Sequence, residues 1–111
     1  SNVTLEQLAH YSAILPAANT FTSQITLAEF AKQNLKPYAT MTTNPLESIR
    51  MLVSVGLGWS VLPQTLINHE LATIDMAKDL ELQRYLGVVI NPSLTRSASV
   101  DALMQMLAPI E

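Results

Sequence analysis

Leu46-Glu47-Ser48-Ile49-Arg50-Met51-Leu52-Val53-Ser54-Val55-Gly56-Leu57-Gly58-Trp59-Ser60-Val61-Leu62-Pro63 joins a helix to a strand, and its reading decides the fold. Asn44-Pro45 precedes it, with asparagine placed to cap, proline at the first helical position and Glu47 at the third. The helix is expected to run to about Val55 and stop at Gly56. Glu47, Arg50 and Ser54 stand three and four apart and form one narrow solvent stripe. The rest of the circumference is apolar, so burial on most sides is expected. Trp59 to Pro63 then reads as a strand. Gly56 is a helix C-cap, and Gly58 is a second glycine that allows tight packing against the sheet. Gly56-Leu57-Gly58 also resembles the start of a phosphate fingerprint. No third glycine follows, however, and a helix entering a strand is the reverse of the order that phosphate binding requires.

Upstream, Thr4-Leu5-Glu6-Gln7 is a capping box that starts a short helix. Ser12-Ala13-Ile14-Leu15 is a short apolar run ended by Pro16, which suits a buried strand. A second capping box, Thr26 to Glu29 with Ile25 and Phe30 as its staple, places the next helix there or a turn earlier, near Thr22. It should stop around Asn34, because Pro37 disfavours a helical Lys36. Tyr38 to Thr43 reads as a second strand. Downstream, Gln64 to Glu70 suggests a short helix, Leu71 to Met76 a weak strand and Ala77 to Leu82 a polar turn. Arg84 to Ile90 is a strong strand. Val100, Leu103, Met104 and Leu107 mark one face of a final helix stopped by Pro109.

Strand and helix alternate with short connections, which argues for a mostly parallel α/β sheet flanked by helices. In such sheets ligands sit beyond the carboxyl ends of the strands, where helix N-termini point their N–H groups. That places a candidate site on the loops Ala17 to Thr22 and Thr42 to Asn44 and on the turn after Leu62. Asn19, Thr20, Phe21 and Thr22 set small donors and acceptors around one aromatic ring, a grouping that orients a small polar or anionic molecule. The same residues serve equally as an ordinary loop and helix cap.

The chain has 111 residues, 49% of them hydrophobic and only 14% charged, with a net charge of −3. Length permits one domain that buries roughly two-thirds of its surface. Composition excludes a disordered tail. With no cysteine there is no disulfide, thiolate metal site or cysteine nucleophile, which fits a reducing compartment. No basic run exists to contact nucleic acid, and the longest apolar stretch is too short to span a bilayer. His10 and His69 read as surface or helix-end residues, and Asp75 and Asp79 as solvated surface. With isolated carboxylates they supply too few ligands for a metal site. No serine sits in a nucleophile elbow. Trp59 is read as core. Ser1-Asn2 reads as a remnant of tag removal, so the chain is expected to be a piece of a larger protein.

The stretch from Leu46 to Pro63 resembles the LysR-type transcriptional regulators, whose effector-binding domain carries a helix reading approximately LVaxGxGxxxLP. The glycine spacing, the aliphatic run and the closing Leu62-Pro63 all match. The flanks agree: a strand ending near Pro16, a helix leading to Asn34-Leu35-Lys36-Pro37, and Arg96-Ser97-Ala98 before the last helix. Asn34 stands where the family often has glycine, a departure that an asparagine tolerant of the left-handed region accommodates.

The resemblance implies a periplasmic-binding-protein-like (type II) α/β subdomain in a bacterial, cytoplasmic regulator of transcription that is not an enzyme. Residues 1–3 would be a tag remnant or linker and 4–82 the second effector-binding subdomain. Residues 83–111 would be the strand and helix that return to the first. A small-molecule effector, a metabolite, would sit in a cleft formed with the missing first subdomain and touch Asn19, Thr20, Phe21, Thr43 and Asn44. No cofactor, metal or membrane is implied. DNA would be contacted only through an absent N-terminal winged helix-turn-helix. The full-length family assembles as tetramers, and a dimer is expected of this fragment, whose last strand and helix lack their usual neighbours. The alternative is a fragment of a periplasmic solute-binding protein with the same architecture. A small hydrolase or transferase would need a nucleophile–base arrangement that the sequence lacks.

Overall fold

A computed structural model describes residues 3–67, 71–76 and 80–91. Along them run α1 (Leu5–Leu8), β1 (Ser12–Leu15), α2 (Phe21–Ala31), β2 (Tyr38–Thr42), α3 (Leu46–Ser54), β3 (Ser60–Pro63), β4 (Ala72–Thr73) and β5 (Leu86–Ile90). Single 3-10 turns lie at Gln64–Leu66 and Glu81–Arg84. The expected helix from Gln64 is thus only one tight turn before the chain extends at Ile67. His69, Asp79 and the final helix expected around Val100 to Leu107 lie outside the described residues.

β1 pairs in parallel with β2. On its other side it meets the start of β3 through a parallel bridge between Ala13 and Trp59. β5 pairs antiparallel with both β3 and β4. The strand order is therefore β2-β1-β3-β5-β4. Four strands point one way and β5 alone opposes them; because β5 lies between β3 and β4, the pairing is parallel on the β1 side and antiparallel around β5.

The junction between α3 and β3 explains how β3 reaches β1. Gly56 takes φ 85°, and Leu57 N–H returns to the Leu52 carbonyl at 3.3 Å, which closes α3 in a left-handed cap. Gly58 then passes so near β1 that a Cβ there would lie 2.5 Å from the Ser12 carbonyl oxygen. The approach lets Trp59 N–H bond Ser12 O at 3.0 Å and Ile14 N–H bond Trp59 O at 2.9 Å. Trp59 itself is buried, stacked on Phe30 with ring centroids 5.9 Å apart. Its indole N–H donates to the carbonyls of Leu8 (3.2 Å) and Tyr11 (3.0 Å). Ser60 Oγ donates to the Ile14 carbonyl.

α2 and α3 cover opposite faces of the sheet. The larger core cluster includes Leu8, Ala13, Leu15, Phe30, Trp59, Val61, Val88 and Ile90. The smaller one joins Ile14, Ile49, Val53, Leu62, Leu71 and Val89. Only Ile49 and Val53 of α3 are buried, while Met51 is 59% exposed and Val55 is exposed beyond its end. The expectation that α3 is buried on most sides is corrected: one sheet face beneath it occupies about two residues per two turns.

The first capping box forms as expected, with Gln7 N–H on Thr4 Oγ1 at 3.1 Å and Thr4 N–H on Gln7 Oε1 at 2.9 Å. The second does not. α2 starts at Phe21 with Thr20 as its cap, and Thr26 lies mid-helix with its hydroxyl on the Thr22 carbonyl. An earlier hydroxyl was available to the free N–H groups, so the helix gained a turn and a half. Past its end, Asn34 takes φ 59° and Leu35 N–H bonds the Phe30 carbonyl at 2.9 Å.

Candidate functional site

β1 and β2 are parallel neighbours, so the loops that follow them leave the sheet at the same end. Two hydrogen bonds tie these loops together. Thr43 N–H donates to the Leu15 carbonyl at 3.2 Å, and Ala17 N–H donates to Asn44 Oδ1 at 2.9 Å. Asn44 thus does not cap α3, contrary to the sequence expectation. Pro45 holds the cap position, with no side-chain hydrogen bond to the helix. The long-range bond to Ala17 satisfies an N–H that β1 leaves behind where it ends, and this takes the asparagine oxygen away from its local role.

The α2 side of the site is built from hydroxyls. Thr20 Oγ1 donates to the Ala17 carbonyl at 2.7 Å and accepts from Ser23 N–H at 3.3 Å. Ser23 Oγ donates to the Pro16 carbonyl at 2.6 Å. These bonds fold residues 16–20 into a tight bend and aim the first turn of α2 out past the sheet.

All five residues singled out by sequence fall on this end, and the structure brings their two loops into contact. Asn19 and Asn44 are exposed, Thr20 and Thr43 half-buried, and Phe21 is 66% exposed. An exposed phenyl ring at the first position of a helix gains nothing for the core. The oxygens of Thr20 and Asn44 already serve internal bonds, so their part is to shape the loops. The Asn19 amide, the Phe21 ring and the outward groups of Thr43 and Asn44 face solvent. None of the five is ionisable, so the rim presents dipoles and a ring rather than charge.

The third loop, the turn after Leu62 that the sequence also places at the candidate site, carries residues that the sequence does not single out. Gln64 N–H bonds the Tyr85 carbonyl and Gln64 Nε2 bonds the Gln83 carbonyl, each at 3.0 Å. With Ile67, Thr73, Leu86 and Gly87, these two glutamines line a hollow of about 350 Å³. Its polarity comes from β5 arriving antiparallel beside β3, a pairing of distant segments that no local motif announces. Pro63 directly before Gln64 was its only local signal.

Elsewhere the chemistry is structural. His10 is exposed at the opposite, amino end of β1, and Asp75 is exposed. Ser23 and Ser60 are buried with their hydroxyls donated to backbone carbonyls, which leaves neither facing a base. Among the described residues no group of three or more His, Asp or Glu could hold a metal. No helix among them is long and apolar enough to cross a membrane.

No curated protein matches the sequence. The family model for the LysR substrate binding domain matches residues 1–109. That domain has the type II periplasmic-binding-protein-like α/β fold, with which the strands and flanking helices described above agree. Nearly the whole sequence is covered by the match, so the chain belongs to the LysR substrate-binding domain family, whose place is in transcription regulators.

Proposed function

We propose that this chain is one lobe of the effector sensor of a LysR-type transcriptional regulator, and that it binds a small metabolite without catalysing a reaction. The observation that carries the reading is the pair of bonds from Ala17 to Asn44 and from Thr43 to Leu15. They lock two exposed polar loops and the Phe21 ring into one rim at the carboxyl ends of adjacent parallel strands, where open α/β sheets take their ligands. Asn19, Thr20, Phe21, Thr43 and Asn44 form this lobe's half of the cleft, and the other half belongs to a first lobe outside the chain. In this reading residues 4–82 are the lobe. Residues from 83 on lead back to the first lobe, with β5 the part of that path that this sheet shares. The protein acts in the cytoplasm as a homo-oligomer, and DNA is contacted by a winged helix-turn-helix that this chain does not contain. The family match favours the regulator over a periplasmic solute-binding protein.

The test uses the full-length regulator, screened against a panel of small metabolites by thermal shift. A metabolite that raises the melting temperature of the wild type should lose most of its effect with Asn19→Ala or Phe21→Ala, and both variants should melt normally without ligand. A hit that both variants bind unchanged would place the effector elsewhere.

A further inference from the structure

A second hollow, of about 360 Å³, lies between α2 and β2. Leu15 and Pro16 line it from the end of β1, Leu27 from α2, and Pro37 and Ala39 from the entry to β2. The space exists because β2 carries alanine at 39 where a larger residue would fill the gap beneath α2. A bulge also displaces β2 from β1 just after that position. The one donor of α2 inside, Ser23 Oγ, is already bonded to the Pro16 carbonyl. An apolar body entering there therefore strands no side-chain donor of α2.

Lys36 lines the same hollow, is exposed, and makes no ion pair with any described residue. Two other cations are in ion pairs, Lys32 with Glu29 and Arg50 with Glu47. Apolar walls with one unpaired cation at the rim complement a ligand that has an apolar body and a single anionic end. Water occupies about 30 Å³ per molecule in the liquid, so the hollow has room for roughly a dozen non-hydrogen atoms. We propose that it binds a small monocarboxylate with an aliphatic or aryl body, its carboxylate on Lys36. The hollow adjoins the effector rim through Ala18 and Thr42 but opens toward Leu27, Lys36 and Ala39, and none of Asn19, Thr20, Phe21, Thr43 and Asn44 lines it.

The 111-residue chain is titrated with sodium octanoate while its backbone amide resonances are followed by NMR. Saturable shifts are expected to be largest at Leu27, Lys36 and Ala39, with a dissociation constant on the order of 1 mM. Lys36→Gln, a surface change, should weaken binding about two- to fivefold, and neutral octanol should bind the wild type more weakly by a similar factor. Ala39→Leu should fill the hollow and abolish the shifts while the circular-dichroism melt stays near that of the wild type. The proposal is overturned if the shifts are absent, are larger at Asn19, Phe21 and Thr43 than at Leu27, Lys36 and Ala39, or survive both substitutions. It is also overturned if the same amides shift with protein concentration alone, because a second copy would then occupy the groove.

Discussion

Gly58→Ala should be far more damaging than Gly56→Ala, although the two glycines are two residues apart. At Gly58 the backbone conformation is one that any residue can adopt, and the obstacle is space. The added Cβ would lie 2.5 Å from the Ser12 carbonyl oxygen and 3.1 Å from its carbon, both backbone atoms of β1. Ordinary carbon–oxygen contacts start near 3.3 Å, so β1 and the start of β3 must separate by about 0.8 Å. That stretches the bonds from Trp59 N–H to Ser12 O and from Ile14 N–H to Trp59 O, now 3.0 and 2.9 Å. Overpacking costs about 1–3 kcal/mol, and weakening two buried backbone bonds adds roughly 1 kcal/mol. A loss of about 2–4 kcal/mol is expected. At Gly56 the obstacle is φ 85°, which costs alanine only about 1 kcal/mol and asparagine less. Urea unfolding followed by the fluorescence of Trp59, the single tryptophan, measures both. With a slope of about 1.5 kcal/mol per molar, the midpoint should fall by about 2 M for Gly58→Ala and by under 1 M for Gly56→Ala. Gly56→Asn should recover part of its loss, and Gly58→Asn should be worse than Gly58→Ala. A Gly58→Ala midpoint equal to or above that of Gly56→Ala would refute the steric account.

Asn44→Ala removes the acceptor for Ala17 N–H, so stability should fall by about 0.5–1.5 kcal/mol. Hydrogen exchange at Ala17 should speed up more than at neighbouring amides, whereas an unchanged Ala17 rate would mean that the bond does not hold the loops. Ile49→Ala opens a cavity in the smaller core cluster and should cost about 2–4 kcal/mol in urea unfolding. Met51→Gln, on the exposed side of the same helix, should stay within about 0.5 kcal/mol of the wild type; equal costs at the two positions would contradict the one-sided burial of α3.

How much of the fold can be read in advance depends on whether the deciding interaction is local. Thr4 and Gln7 satisfy each other within one turn, and Gly56 closes a helix with bonds to its own last turn, so both are visible in a short window of sequence. α2 shows the limit. Its buried positions are Thr22, Ser23, Thr26, Glu29 and Phe30, mostly polar, so hydrophobic periodicity does not mark its inner face. Two threonines compete to cap it, and a local box at Thr26 looks stronger than the lone hydroxyl at Thr20. The Ala17 carbonyl decides for Thr20 by accepting its hydroxyl proton, and that contact depends on the bend after β1. α3 fails differently. Its apolar residues are visible, but sequence cannot say that only one sheet face waits beneath them.

The same distinction separates the two parts of the candidate site. Asn19, Thr20, Phe21, Thr43 and Asn44 can be found from the rule that parallel strands put their following loops at one end, since that needs only strand order and direction. What each residue does there is not local. Asn44 stands before Pro45 in the arrangement that sequence reads as a helix cap, yet its oxygen holds Ala17, 27 residues away along the chain. Its role is to fix the distance between two loops rather than to begin a helix. The glutamines at 64 and 83 escape notice for the same reason, because they meet only after β5 has come back antiparallel next to β3. A rim assembled from such distant contacts has a physical consequence. Its geometry is tied to the spacing of β1 and β2, so a ligand that draws the loops together pulls on the edge of the sheet. β2 is that edge, and all five of its residues are exposed. It pairs on one side only, with β1, and buries none of its residues, so it is the element through which occupancy of the rim would be felt at the surface of the lobe.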